Sequence, residues 1–161
     1  MSPSARSPAI AFALVIVVAV AVALYRCGHR PPAAPPEMLG TWTLNVAKSH
    51  WTGSIRPSKS ETHMYQVKDG HLHITTDRVT ADGRTIHSEW IGMFDGKDYP
   101  NAGEGQTLAL TLIDDLTYDF VAKTNGEVSS TTRVVVSADG KTKTGATTAK
   151  TFSSIRFYDR Q

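Results

Sequence analysis

The sequence predicts an all-β protein, an antiparallel up-and-down meander of about eight to ten strands closing into a β-barrel, preceded by an N-terminal hydrophobic helix. Three observations predict it. Asp69-Gly70, Asp82-Gly83 and Asp95-Gly96 recur thirteen residues apart, and Asp-Gly supplies the two positive-φ positions that a type I′ hairpin turn needs. Asn125-Gly126 and Asp139-Gly140 repeat the device. The segments between these turns alternate apolar with polar residues and contain no helix-length pattern, so a sheet of this many strands must curl to bury one face.

The N-terminal element is the run Ala9 to Tyr25, seventeen apolar residues without a charge. It fits a signal-peptide core or a short membrane span. A cleaved signal is one reading, although the Ala-x-Ala pairs Ala19/Ala21 and Ala21/Ala23 fall inside the run. Lipidation at Cys27 is another, with Leu24 correctly spaced but Arg26 where a small residue is wanted. An uncleaved anchor is the third and the one preferred. The expected organisation is a cytoplasmic tail over residues 1–8, a signal anchor or signal peptide over 9–25, a Pro/Ala-rich linker over 26–38 and a barrel over 39–161. Arg6 and the amino terminus oppose Arg26 and Arg30 across the span, so positive-inside bias is small. The barrel is expected in the periplasm, tethered to the inner membrane, or secreted if the segment is cleaved.

Without residues 1–30, which carry Arg6, Arg26 and Arg30, 14 Lys and Arg face 15 Asp and Glu. A body so near neutrality lacks the concentrated basic face that nucleic acid requires, and that class is excluded. Cys27 is the one cysteine of the sequence, so the body has no disulfide and depends on its core.

The first strand is Gly40 to Val46, with Trp42, Leu44 and Val46 on one face. Lys48 to Pro57 breaks the alternation and is expected as a loop that caps one end of the sheet. From Ser60 onward, two-residue Asp-Gly loops fix a register. Lys68 then faces His71 and Ala81 faces Arg84. The inward rows become Val67, Leu72 and Met93, then Tyr65, Ile74 and Ile91, then His63, Thr76 and Glu89, then Glu61, Arg78 and His87. This face is apolar at one end and charged at the other, the layout of a barrel that admits a ligand, because buried charge is tolerated only when paired or wet. The alternative is a hydrated rim of ordinary cross-strand pairs.

Later strands follow the same logic. Leu108, Leu110 and Leu112 share a face, and an odd loop after them sets that face against Tyr118 and Phe120, whereas a two-residue loop would bring Thr117 and Asp119 there. Glu127 to Ser137, Lys141 to Lys150 and Thr151 to Tyr158 complete the set.

Gly40-Thr41-Trp42 resembles the G-x-W signature of lipocalins, whose Trp plugs the closed end of an up-and-down barrel. The longer stretches Gly40 to Ser49, Phe94 to Pro100, Ala138 to Lys141 and Tyr158-Asp159 resemble a group of small exported bacterial lipocalin-like proteins. The resemblance implies a barrel with an internal cavity commonly used for small hydrophobic molecules. It also implies a basic residue near the last strand packed on Trp42, for which Arg156 is the candidate by position.

Metal and catalytic chemistry find less support. His63, His87 and Glu89 share the inferred face and are a zinc-type donor set, yet successive rows hold them apart, and His71-x-His73 is a spacing common by chance. No metal or cofactor is assigned. There is no Gly-x-Ser-x-Gly elbow, and Arg78 near Glu61 and Glu89 would depress their pKa values and disfavour a general acid. The preferred reading is a tethered or exported monomeric barrel holding a small, mostly hydrophobic ligand near Glu61, His63, Tyr65, Ile74, Arg78, His87, Glu89 and Ile91. A structural or interaction module of the cell envelope is the second reading, and a cavity enzyme the third.

Overall fold

The computed structural model describes residues 32–161. The expected anchor over 9–25, Cys27 and the start of the linker lie outside them. Among the described residues no helix is long and apolar enough to cross a membrane.

A single 3₁₀ turn, Pro36–Met38, leads into ten strands: β1 Gly40–Gly53, β2 Ser60–Lys68, β3 His71–Val79, β4 Thr85–Gly92, β5 Tyr99–Pro100, β6 Gln106–Asp114, β7 Thr117–Thr124, β8 Glu127–Val136, β9 Thr142–Ala149 and β10 Phe152–Arg160. They form one sheet in the order β4-β3-β2-β1-β10-β9-β8-β7-β6-β5, antiparallel throughout. The pairing of β1 with β10 joins the first and last strands and curls the sheet into a nearly closed barrel. The two remaining edges, β4 and β5, meet at a seam covered by the Trp90 and Tyr99 rings, 5.8 Å apart and nearly perpendicular.

The first Asp-Gly turn is as expected. Asp69 and Gly70 both have positive φ, 52° and 77°, and Lys68 pairs with His71, so Glu61 faces Arg78, His63 faces Thr76 and Tyr65 faces Ile74. The second is different. Thr80 rather than Ala81 pairs with Arg84, leaving a three-residue loop, Ala81 to Gly83, in which Gly83 alone has positive φ. The Thr80 hydroxyl accepts the Arg84 N–H at 3.0 Å and donates to the Asp82 carboxylate. This odd loop moves β4 by one residue against the expected register: Ile74 pairs with Trp90, Thr76 with Ser88 and Arg78 with Ile86. Because side chains alternate with period two, the whole strand exchanges faces.

The third Asp-Gly is no hairpin between consecutive strands. Asp95 bridges to Thr111, and the Gly96 N–H donates to the Leu110 carbonyl at 2.8 Å, so the chain crosses to β6 across the seam. Two further expectations are corrected in detail. β1 does not end at Val46 but continues to Gly53 through an irregularity between Asn45 and His50. There Ser49 Oγ donates to the Asn45 carbonyl and accepts the Phe157 N–H, replacing ladder hydrogen bonds that the broken alternation loses. The Leu face of β6 meets Tyr118 and Phe120 as expected, through a two-residue turn with Ile113 bulged out.

The core gathers Met38, Trp42, Leu44, Tyr65, Leu72, Ile74, Trp90, Phe94, Leu110, Tyr118, Val134, Val136 and Tyr158. Trp42, fully buried, donates its indole N–H to the Met38 carbonyl at 3.2 Å. The expected basic residue over its ring is Arg160, not Arg156: its guanidinium lies 4.3 Å from the ring centroid and donates to the Leu39, Glu37 and Gly140 carbonyls. Arg156 is four residues earlier on the same strand, farther up the barrel.

Candidate functional site

Three strands aim polar side chains into the barrel. β2 contributes Glu61, His63 and Tyr65, β10 contributes Arg156 and Tyr158, and β9 contributes Lys143, with Gly145 leaving room two residues further on, as the alternation of a strand face requires. They line one wall of an internal cavity of about 300 Å³, whose other walls include Ile74, Trp90, Leu108, Phe120 and Val134. Toward the opposite end the lining turns small and polar, with Thr76, Ser88, Ser130 and Thr132.

Glu61 is the hub. It is 2% exposed, and its Oε1 accepts hydrogen bonds from Tyr158 Oη at 2.6 Å, His63 Nε2 at 2.9 Å and Arg156 Nη1 at 3.1 Å. Burial alone would raise its pKa. The hydrogen bond and charge of His63, the Arg156 guanidinium and the Tyr158 hydroxyl together hold it well below the ordinary carboxylate range. Burial and the Lys143 charge push His63 down to about 4, against the pull of Glu61, so at neutral pH its imidazole is uncharged. Because Nε2–H donates to Glu61, Nδ1 is the acceptor, and Lys143 Nζ donates to it at 3.3 Å. Burial raises Tyr65 to about 12 and Tyr158 well above its usual value, so both hydroxyls keep their protons.

The cluster is a proton-rich wall. Arg156 extends it by donating to Thr147 Oγ1 at 3.4 Å, itself 2.8 Å from Thr132 Oγ1. Two buried donors on the cavity wall, Arg156 Nε and Trp90 Nε1, have no hydrogen-bond partner among the described residues. Buried donors left unpaired are costly.

The structure brings only part of the expected set together. Glu61, His63, Tyr65, Ile74 and Arg78 line the cavity. His87, Glu89 and Ile91 do not: the odd loop turns them outward, and Ile86, Ser88 and Trp90 take the inward positions. On the outer face His87 Nδ1 lies 2.7 Å from Asp77 and its Nε2 3.8 Å from Glu89. Arg78, opposite Glu61 in register, makes no ion pair with it; Arg156 does. Arg156 and Trp42, expected together as the plug, are separate: Trp42 belongs to the closed end and Arg156 to the cavity wall. Sequence reasoning missed Lys143, Gly145, Thr147 and Tyr158. The signal was present in Val134 and Val136, whose inward placement and the Asp139-Gly140 turn pair them with Gly145 and Lys143. The Thr-rich monotony of β9 concealed it.

No protein-family model matches the chain, and no curated protein matches it significantly. Several solved structures share its fold. The wild-type fluorescent protein UnaG is 14% identical over 78% of this chain and 98% of its own, with a TM-score of 0.57. Fatty-acid-binding protein 1 of Echinococcus granulosus is 10% identical over 77% and 97%, also at 0.57. The Schistosoma mansoni fatty-acid-binding protein, solved with arachidonic acid, is 14% identical over 80% and 98%, again at 0.57. The likeness is one of fold: a ten-stranded, nearly closed antiparallel barrel.

Proposed function

We propose that the barrel holds a small, mostly apolar molecule in its interior, with the ligand's polar end against Glu61, His63, Lys143, Arg156 and Tyr158. The observation that carries this reading is an internal cavity of about 300 Å³ with Glu61, His63, Lys143, Arg156 and Tyr158 on one wall and Ile74, Trp90, Leu108, Phe120 and Val134 among the others. The shared architecture with fatty-acid-binding barrels supports it. The charge-free run over 9–25 supports a further part of the reading, in which the barrel is tethered to the inner membrane on its periplasmic side or released if that run is cleaved.

Gly145 provides the test. A Cβ built on it meets nothing closer than Thr132 Cγ2 at 3.7 Å and Val134 Cγ2 at 4.0 Å, so a leucine there enters the cavity without disturbing the backbone. The full chain is expected to bind a fluorescent apolar probe such as cis-parinaric acid, and Gly145→Leu to weaken it at least about tenfold. Equal binding by both proteins would place the probe elsewhere and defeat the proposal. Mass spectrometry of molecules that co-purify from the native host identifies the occupant.

A further inference from the structure

Lys143 stands out in the wall as a buried amine without a carboxylate partner among the described residues. It is 2% exposed and lies on the cavity wall. Its Nζ has one hydrogen-bond partner, His63 Nδ1 at 3.3 Å, and no ion pair with a carboxylate occurs for it among the described residues. Glu61, the one buried carboxylate of the cluster, is already taken by Arg156, Tyr158 and His63. The rings of Tyr65, Tyr158 and Trp42 surround Nζ at 4.1, 4.9 and 5.2 Å from their centroids. An amine that needs only solubility would not be placed there, since a lysine is almost never fully buried without a counter-charge.

We propose that Lys143 is a nucleophile, its Nζ forming an imine with the carbonyl carbon of an apolar aldehyde or ketone held in the barrel. The proposal rests on the reading of the barrel as a holder of apolar molecules and adds the ligand's chemical class.

The groups that face Nζ are Glu61, His63 and Tyr65 from β2, Arg156, Tyr158 and Arg160 from β10, and Trp42 from β1. The π faces and Glu61 favour the ammonium. Burial and the two guanidiniums oppose them, and burial dominates, so the pKa of Lys143 falls well below the ordinary lysine value. An exposed lysine, by contrast, is a free amine in roughly one molecule in two thousand at pH 7.

The step is balanced without a redox partner. The amine lone pair attacks the carbonyl carbon, and the carbon–oxygen π pair moves to oxygen, which takes up a proton as nitrogen releases one. Nδ1 of His63 is positioned to accept that nitrogen proton. Loss of the hydroxyl as water, with one further proton, leaves a carbon–nitrogen double bond, so amine and aldehyde give imine and water.

The experiment uses the full chain with n-decanal at pH 7, cyanoborohydride as the hydride source that converts an imine to a stable secondary amine, and peptide mapping by mass spectrometry. The expected result is one decyl adduct at Lys143, formed at least about a hundredfold faster than at exposed lysines such as Lys68 or Lys150. Lys143→Met is expected to lose it, and n-decanol to compete. Labelling spread over exposed lysines with Lys143 unmodified overturns the proposal. Binding of decanol measured separately distinguishes the two readings: decanol bound without a Lys143 adduct defeats the nucleophile alone, and neither bound nor reacted defeats the apolar holder as well.

Discussion

Two histidine–carboxylate pairs sit on neighbouring strands of one hairpin system and lead opposite lives. His63 and Glu61 on β2 are buried, joined at 2.9 Å and backed by Arg156 and Tyr158. His87 on β4 and Asp77 on β3 are joined at 2.7 Å on the outer face, with both side chains more than half exposed. The distances are nearly the same, and the energetics are not. A buried carboxylate without its partners costs several kcal/mol, whereas an exposed pair is solvated whether or not it forms. What separates the pairs is one residue of loop: Asp69-Gly70 is a two-residue turn and Ala81-Asp82-Gly83 a three-residue one.

The largest effect is expected from removing that residue. Deleting Ala81 leaves Asp-Gly as a two-residue loop and would drive Trp90, Ser88 and Ile86 outward and Glu89, His87 and Ile91 inward. The loss of one large buried ring and the burial of two ionisable groups should cost more than about 5 kcal/mol, enough to unfold the protein in a urea titration. A deletion variant that retained wild-type stability would mean that the loop does not set the face of β4.

Charge removal sharpens the comparison next. Glu61→Gln leaves the half-buried Arg156 guanidinium without its counter-charge and is expected to destabilise by about 3 kcal/mol, while Asp77→Asn should cost less than about 1 kcal/mol in the same urea titration. Similar losses from the two would erase the distinction between the pairs.

Acid discriminates them by sign. The folded pKa of His63, about 4, lies below the ordinary 6.5, so between these values the unfolded chain binds more protons. Stability is therefore complete above about pH 6.5 and falls toward pH 4, by about 3 kcal/mol from this group. Glu61 adds a further loss once the pH drops below the ordinary carboxylate pKa, since its own is depressed. His87 behaves oppositely. Its hydrogen bond to Asp77 raises its pKa, so its contribution is present in acid and fades as pH rises through that value. NMR titration of the ring protons should show one imidazole titrating above the ordinary range and one far below; two ordinary curves would contradict both assignments.

The smallest effect belongs to the loop itself. Thr80→Val removes the hydroxyl that accepts the Arg84 N–H and caps Asp82, and is expected to cost about 1 kcal/mol without moving the register.

The sequence carried the barrel because turn dipeptides and alternation are local. Val67 through Leu72 needed only Asp69-Gly70 to be paired correctly, and Glu61, His63, Tyr65 and Ile74 followed along the ladder. Local information ran out where a loop could take two lengths with the same dipeptide. Thr80, two residues before Asp82 and able to bond across the loop, was the mark that Asp69-Gly70 lacks. The Arg156 partnership was beyond reach for another reason: Glu61 and Arg156 are 95 residues apart and meet only because β1 pairs with both β2 and β10. The same closure puts Arg160, rather than Arg156, over Trp42.

The seam between β4 and β5 has a consequence for the crowded solution around the protein. A barrel without full closure keeps two rows of unpaired backbone groups, and such rows recruit strands from other molecules. Here one edge is only two residues long and ends in Pro100, which has no N–H to offer, and the other carries His87 and Glu89 on its outer face. The one-residue loop difference that took these two groups out of the cavity also set ionisable side chains along the exposed edge, where they discourage a neighbouring chain from adding an eleventh strand.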